Sequence, residues 1–502
     1  MRNIICCCDG TWNSLEQETD EMLSPTNVVR IYNAIAPTTE QLKYYHPGVG
    51  TGHGLANKLL GGGLGEGLNK DIKSAYHFLC DNYKEGDKIY LYGFSRGAYT
   101  VRSLAGFITE CGLLKTEGLS EKDIWEKIDK AFSLGYRGKK DKDKWSELDE
   151  FTSDIKIFFI GVWDTVGALG IPDEIGILKL FDEPKKYYFY DTKISTNIIH
   201  ARQALSIDEK RKTFQPTLWD ENKTEQDEVD LVQRWFPGVH SDVGGGYPET
   251  GLSDGALKWM IDETPDDLIF DHKMLEQIHP CSQAPKHDSC NGVFKLLETR
   301  PRSIPNFTTE QNKYDQSAIE RHDFPPISDA PYHLDRKIDA KGTSINIYAD
   351  QQWNETGIWL EEGKHYAFSA KGTWKDGDVV CDASGDSDDK FHPSEIFHLA
   401  MSAVGKFEPL LKKIEKNPSA NISGTKRDEN APWFSLIGSV ASNLTSPSDP
   451  HALGQHETFY IGKGLDNFTP QKSGYLYAYA NDAWKFYFNN HGSVTLVVTK
   501  VE

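Results

Sequence analysis

The stretch Lys88-Ile89-Tyr90-Leu91-Tyr92-Gly93-Phe94-Ser95-Arg96-Gly97 decides how this chain is to be read. A β-prone run over 88–92 enters Gly-x-Ser-x-Gly, and a helical pattern follows over 98–108. A turn from strand to helix this sharp leaves no room for side chains two residues either side of the serine, so glycines stand there. That setting makes Ser95 a candidate nucleophile. A serine hydroxyl is a weak nucleophile and needs a base, an orienting acid and donors for an oxyanion. The start of the following helix offers the first donor, the Arg96 backbone N–H, at the positive end of the helix dipole.

Outward from this elbow, further apolar runs lie at 3–8, 155–163 and 231–239, the last interrupted by Pro237. Helical patterns fall at 69–83, 98–108 and 121–134. Continuous apolar runs suit strands covered on both faces, and their alternation with helices implies an α/β fold, a mostly parallel sheet flanked by helices as in α/β-hydrolases. In that architecture the chain order is Ser, then acid, then His. Asp164 ends the run 155–163 and is the expected acid, with Asp208 and Asp242 as runners-up. His240 follows the run 231–239 and is the expected base; the glycines at 244–246 beside it are expected to leave room for a substrate. Gly10 and Thr11, after the first strand, are the expected source of the second oxyanion donor, with Asp9 ordering their loop.

Rival readings of these motifs are weaker. Asp9-Gly10-Thr11 also suits an aspartyl-nucleophile phosphatase, but that chemistry needs a second Asp where Cys7 stands. The glycine-rich stretch 48–67 lacks the Gly-Lys-Ser/Thr ending of a phosphate loop. Cys6, Cys7 and Cys8 read as small apolar residues of a buried strand, without the spacing of a metal site. Cys281 and Cys290 are expected as free thiols.

The 502 residues call for two or three domains. The polar stretch from about 300 to 339, with Pro301, Pro305, Pro325, Pro326 and Pro331, reads as loop or linker. We place the catalytic domain at 1–330, a linker at 331–343, and a β-sandwich at 344–502 interrupted by a helical insertion at 409–415. A net charge of −20 argues against nucleic-acid binding and against permanent residence on anionic lipid. No apolar run reaches the roughly 18 residues of a spanning helix. The N-terminal run is short and turns acidic at Asp9, so synthesis in the cytoplasm without a signal peptide is expected.

Several ordered motifs together resemble the α/β-hydrolase domain of the type VI secretion lipase effector family. They are CDGTWN (8–13), YYHPGVGTG (44–52), GDKIYLYGFSRGAYTVRSLAGFI (86–108), GVWDTVGALGIP (161–172), HARQALSIDEKRKTFQPTLW (200–219), WFPGVHSDVGGGY (235–247) and LSDGALKWM (252–260). The resemblance spans about 1–330. It implies a phospholipase A-type activity with Ser95, Asp164 and His240 as triad and no catalytic cofactor. It also implies secretion into target cells, with a secretion apparatus and a cognate immunity protein as partners.

The stretch AYANDAWKFYFNNHGSVTL (478–496) resembles the calcium-dependent galactose-binding PA-I lectin family. That likeness implies Ca²⁺ held by Asp482, Asn489, Asn490 and the Phe486 carbonyl, with a further carbonyl near 375–377. It also implies contact with a galactose-containing glycan by His392 and Glu395, although the lectin has Gln where Glu395 stands. Two other functions remain open on sequence alone. One is an intracellular carboxylesterase for an acylated carbohydrate or other ester. The other is a glycan-binding protein on an inactive hydrolase scaffold.

Overall fold

The structure is a computed structural model and describes residues 2–10, 18–19, 22–48, 64–138, 150–167, 194–221, 229–291, 298–386, 426–444, 454–484 and 486–501. The chain forms two compact units. The first is Met1–Arg302 with Gln311–Ala330, and the second is Ser303–Glu310 with Pro331–Glu502.

The first unit is built on six strands: β1 (Asn3–Cys8), β2 (Gln41–His46), β3 (Lys88–Phe94), β4 (Ile157–Trp163), β5 (Ile198–Ser206) and β6 (Asp230–Phe236). They pair in the order β6-β5-β4-β3-β1-β2, every pair parallel. Alternate residues of the central strands feed two separate cores, one on each face of the sheet. Ile4, Cys6, Cys8, Ile89 and Leu91 pack on one face with the helices α2 (Leu64–Asn82) and α3 (Arg96–Cys111). Ile5, Cys7, Tyr90, Tyr92 and Phe94 pack on the other with α1 (Asn27–Ala34) and α4 (Gly251–Asp262). This double burial is why β1 and β3 read as unbroken apolar runs, each large apolar side chain contributing about 1.5–3 kcal/mol. The three consecutive cysteines of β1 are buried and unbridged, as small apolar strand residues.

Two strands carry too little apolar pattern to be expected from sequence. β2 is an edge strand and is only half-buried along most of its length. β5 lies inside the sheet yet contains Arg202 and Gln203. Arg202 pairs with Glu263 and Asp230, and Gln203 Nε2 donates to the Thr217 carbonyl. The proline-rich region after Arg300 differs from a plain connector. It contains the helix α5 (Gln316–Asp323), and Arg302 and Arg321 within it are buried on carboxylates. Residues 331–342 belong to the second unit, where Tyr332 is buried.

The second unit consists of antiparallel sheets. In one, Thr343–Tyr348, Asn490–Val501, His365–Asp376 and Val379–Asp382 pair in that order, and Gly464–Phe468 also pairs with His365–Asp376. In the other the order is Asn354–Leu360, Gly474–Ala480, Leu436–Leu444 and Gln455–Tyr460. Inward residues of both, among them Ile347, Phe368, Trp374, Leu436, Leu476 and Leu496, share one core. The insertion expected at 409–415 lies outside the described residues.

The strand order turns back at one place that matters for function. From β1 the chain goes to β2 on one side and then to β3 on the other, and β1 and β3 are neighbours. Crevices at the carboxyl ends of strands open at such switch points. Gly97 sits there so closely that a Cβ on it would lie 2.0 Å from the Cys8 carbonyl oxygen. We expect Gly97→Ala to destabilise the protein by about 3 kcal/mol or more. Gly118→Ala, at an open turn with φ +79°, should cost only about 1–2 kcal/mol of left-handed strain. Paired thermal melts would check the difference; equal melting shifts would contradict the close-packed elbow.

Candidate active site

Ser95 stands at the end of β3 with φ 56° and ψ −120°, a backbone conformation rare for any residue with a Cβ. Both flanking glycines are sterically required. A Cβ on Gly93 would meet the Gly97 carbonyl oxygen at 2.5 Å, and one on Gly97 would meet the backbone of Cys8 and Asp9. The elbow is pinned by the Ser95 N–H donating to the Trp163 carbonyl and by the Val166 N–H donating to the Ser95 carbonyl. Ser95 is the N-cap residue of the 16-residue α3, but its hydroxyl makes no capping bond. The side chain is therefore not committed to the helix it precedes.

Asp164 follows β4 on the neighbouring strand, also with positive φ, 40°. Its carboxylate is completely buried and accepts four side-chain or backbone donors. Oδ1 accepts the Ser206 N–H (3.0 Å) and Arg302 Nη1 (2.5 Å). Oδ2 accepts His240 Nδ1 (2.6 Å) and Arg302 Nη2 (2.8 Å). Burial alone would raise this carboxyl; the Arg302 guanidinium and then His240 overcome it and hold the group well below the usual carboxylate range.

His240 opens a short helix, His240–Gly244, directly after β6. Its ring packs on Phe94 (centroids 4.5 Å apart) and makes a T-shaped contact with Phe214 (5.1 Å). Since Phe94 immediately precedes Ser95, this packing brings base and nucleophile to one end of the sheet. With Nδ1 donating to Asp164, Nε2 is left as the acceptor nitrogen of the neutral ring. Burial, the largest influence, lowers the His240 pKa from the ordinary 6.5 despite the Asp164 carboxylate.

The runners-up Asp208 and Asp242 support this loop instead. Asp208 accepts the Gly238 N–H (2.7 Å), and Asp242 accepts the Val239 N–H (2.9 Å) and pairs with His287 (2.6 Å). The neighbouring glycines do not make room for substrate as expected. A Cβ on Gly244 would lie 2.0 Å from the Phe94 ring, and Gly245 (φ +81°) abuts the backbone of Thr26 and Asn27. They allow the loop to close on the elbow.

Asp9 orders the adjacent strand end, as expected. Its carboxylate accepts Thr26 Oγ1 (2.6 Å), Tyr45 Oη (3.0 Å) and the Gly10 N–H (2.7 Å). The Gly10 N–H is thus engaged by Asp9 rather than presented to an oxyanion. Thr11 lies outside the described residues. The Arg96 N–H begins α3 beside Ser95.

Sequence reasoning missed two buried groups at the base. Arg302 was hidden in the stretch read as connector, and Glu209 accepts the His240 N–H (3.3 Å) while gripped by Arg211 (2.8 Å). A buried arginine looks like surface in a sequence until its carboxylate is known.

In the second unit, Asp482, Asn489, Asn490 and Phe486 do converge. Asp482 is buried; its Oδ1 accepts the Ala483 N–H (2.6 Å) and its Oδ2 accepts Asn490 Nδ2 (2.9 Å). Asn489 Nδ2 donates to Asp376 (2.9 Å), a carboxylate not expected from sequence, and the Phe486 carbonyl accepts the Asn489 N–H (3.4 Å). Burial, and then the Asp376 charge, push the Asp482 carboxyl up to about 7. The Asn490 Oδ1 is buried without a hydrogen-bond partner among the described residues. His392 and Glu395 lie outside the described residues.

A six-stranded parallel sheet of this order, with a serine elbow at its switch point and a buried His–Asp pair beside it, defines an α/β-hydrolase-like protein. Residues 2–263 match the family model of the type VI secretion system phospholipase effector Tle1-like catalytic domain, and the chain belongs to that family. An uncharacterized protein of Saccharomyces cerevisiae, YEL023C, is 32% identical over 237 residues, which is 42% of this chain and 32% of the yeast protein. The solved structure of a Tle1 effector bound to the VgrG spike of the type 6 secretion system is similar at 21% identity and TM-score 0.26, covering 50% of this chain and 52% of that one. The EclA N-terminal domain, a PllA-like lectin, is similar at 14% identity and TM-score 0.18, covering 32% of this chain and 95% of that one. The chain thus spans about a third of the yeast relative's length and about half of the effector's.

The buried pair generates a stability prediction. Asp164→Asn leaves the Arg302 guanidinium without its counter-charge and should cost about 3–5 kcal/mol at pH 7. Because the folded-state carboxyl lies below its ordinary 3.8, that cost is constant above about pH 4 and shrinks as pH falls further. Urea unfolding of wild type and variant from pH 7 to 3 checks both size and direction; a neutral substitution at pH 7 would contradict the ion pair.

Proposed function

We propose that the first unit is a phospholipase A-type serine hydrolase in which Ser95, His240 and Asp164 act as a triad. The observation that carries this reading is the strained, uncapped Ser95 at the switch point with the buried His240–Asp164 pair beside it. Ser95 Oγ attacks the acyl carbonyl of the phospholipid as His240 Nε2 takes the hydroxyl proton. The Nδ1–H stays on its side of the bond to Asp164, which orients the ring and stabilises the imidazolium. The oxyanion forms at the start of α3, where the Arg96 N–H and the helix dipole face it. Collapse breaks the ester bond, and His240 returns the proton to the departing lysophospholipid oxygen. Water then repeats the sequence on the acyl-enzyme.

Family membership supports a lipid ester over other esters and delivery by a type VI secretion system; a spike of the VgrG kind as carrier and an immunity protein protecting the producing cell are part of the same proposal. In the second unit we propose a Ca²⁺ site at Asp482, Asn489 and Asn490, with Asp376 close by. Hard oxygen donors, an unpartnered Asn490 Oδ1 and two neighbouring carboxylates suit such an ion. Bound there, calcium would hold the loop for docking on a galactose-containing glycan through His392 and Glu395.

Phosphatidylcholine vesicles given to wild type should release fatty acid, and Ser95→Ala should lose roughly 10³-fold or more of that rate. Turnover of soluble short-chain esters with vesicles untouched would favour a carboxylesterase, and no turnover by wild type would favour a glycan-binding scaffold. For the second unit, Ca²⁺ at about 100 times its Kd should stabilise the fold by about 2.7 kcal/mol. The effect should weaken from pH 8 to pH 6 as protons compete for Asp482, and vanish in Asp482→Asn. Identical melts in Ca²⁺ and EDTA at pH 8 would contradict the site.

A further inference from the structure

Arg302 does more at this site than neutralise a charge. Its guanidinium is wholly buried and makes four hydrogen bonds, two to Asp164 and one each to the carbonyls of Ser206 (2.7 Å) and Phe214 (2.7 Å). The Asp164 carboxylate is therefore gripped by a planar fork on both oxygens. Its remaining bonds, to the Ser206 N–H and His240 Nδ1, complete the set, so rotation about the last side-chain bond of Asp164 would break several of them at once. The same guanidinium holds the backbone of Phe214, whose ring makes a T-shaped contact with His240. One side chain thus fixes both the hydrogen-bond partner of the imidazole and one of its packing walls.

A second ion pair repeats the arrangement from the other side. Arg211 is paired with the buried Glu209 and lies over the Phe214 ring at 3.5 Å, while Glu209 accepts the His240 backbone N–H. The base is framed by two carboxylates, each matched to its own arginine.

We propose that Arg302 is a positioning residue for catalysis, orienting Asp164 and Phe214 so that His240 presents Nε2 to Ser95. This inference rests on the serine-hydrolase reading above. An uncompensated carboxylate beside a histidine aligns the ring and also strengthens its hold on a proton. Arg302 separates these effects: the bond to Nδ1 remains short, while the arginine offsets the negative charge. The lowered His240 pKa has burial of the ring as its largest cause, and the Asp164 carboxylate opposes that shift without reversing it. Lysine cannot reproduce the fork, because it is a point charge with no planar pair of donors.

The test is Arg302→Lys in the full chain, which retains the charge and removes the fork. On a short-chain phosphatidylcholine in monomeric solution, kcat should fall about 10²-fold with KM unchanged, the scale of a misplacement near 1 Å. In histidine-labelled protein, the NMR resonance of the His240 Nδ1 proton should broaden or shift. A folded Arg302→Lys with wild-type kcat and an unchanged Nδ1 resonance would overturn the proposal. If the variant does not fold, the wild type still decides: in arginine-labelled protein the gripped Arg302 should show separate, slowly exchanging Nη protons, and averaged, rapidly exchanging ones would overturn the proposal. The NMR measurements need no turnover. A wild type that hydrolyses nothing would sink the hydrolase reading, whereas an unperturbed resonance in Arg302→Lys would sink only the role of Arg302.

Discussion

A bare carboxylate cannot sit in a protein interior without partners, and the burial of Asp164 is the constraint around which this site is built. Four donors converge on it from three parts of the chain: the end of β5, the loop after β6 and the segment at Arg302. Those parts are brought together because β4, β5 and β6 are successive neighbours in one parallel sheet, so their carboxyl ends lie side by side. The carboxylate in turn fixes the ring of His240. Supporting groups repeat this logic one layer out, with Asp208, Glu209 and Asp242 each taking a backbone N–H from the loop around the histidine.

The second constraint is steric. The elbow exists only because Gly93 and Gly97 let β3, α3 and the end of β1 approach within contact distances that any Cβ would violate. Ser95 accepts a strained backbone so that its hydroxyl stands free of the helix it begins. Charge and steric fit come from opposite sides: Asp164 and His240 lie toward β4–β6, while Asp9 and its partners lie toward β1 and β2. Ser95, at the end of β3, stands between these halves.

Much of this could be read from the sequence, for identifiable reasons. The elbow carries its own steric signature, and strands covered on both faces, such as β1, β3 and β4, announce themselves as apolar runs. Asp164 and His240 follow from where such runs end. What could not be read was polar and buried at once. β5 hides Arg202 and Gln203 inside the sheet, and β2 lies at an edge with only partial burial. Arg302 sits among prolines that resemble a connector, and its meaning depends on an aspartate 138 positions earlier. The glycines after His240 were legible as unusual but not as to purpose, because the Phe94 ring that fills the space beside Gly244 belongs to a distant strand. At 375–377 a backbone carbonyl was expected, and the part played by the Asp376 carboxylate was not, because it reaches Asn489 only across paired strands.

In the proposed mechanism everything turns on Ser95 as the activated nucleophile. Reaction of the full chain with a fluorophosphonate, followed by proteolysis and mass spectrometry of the adduct, tests it most directly. A single stoichiometric adduct on Ser95, lost in His240→Ala, is expected. An adduct on another residue, or an unmodified Ser95 in folded wild type, would contradict it.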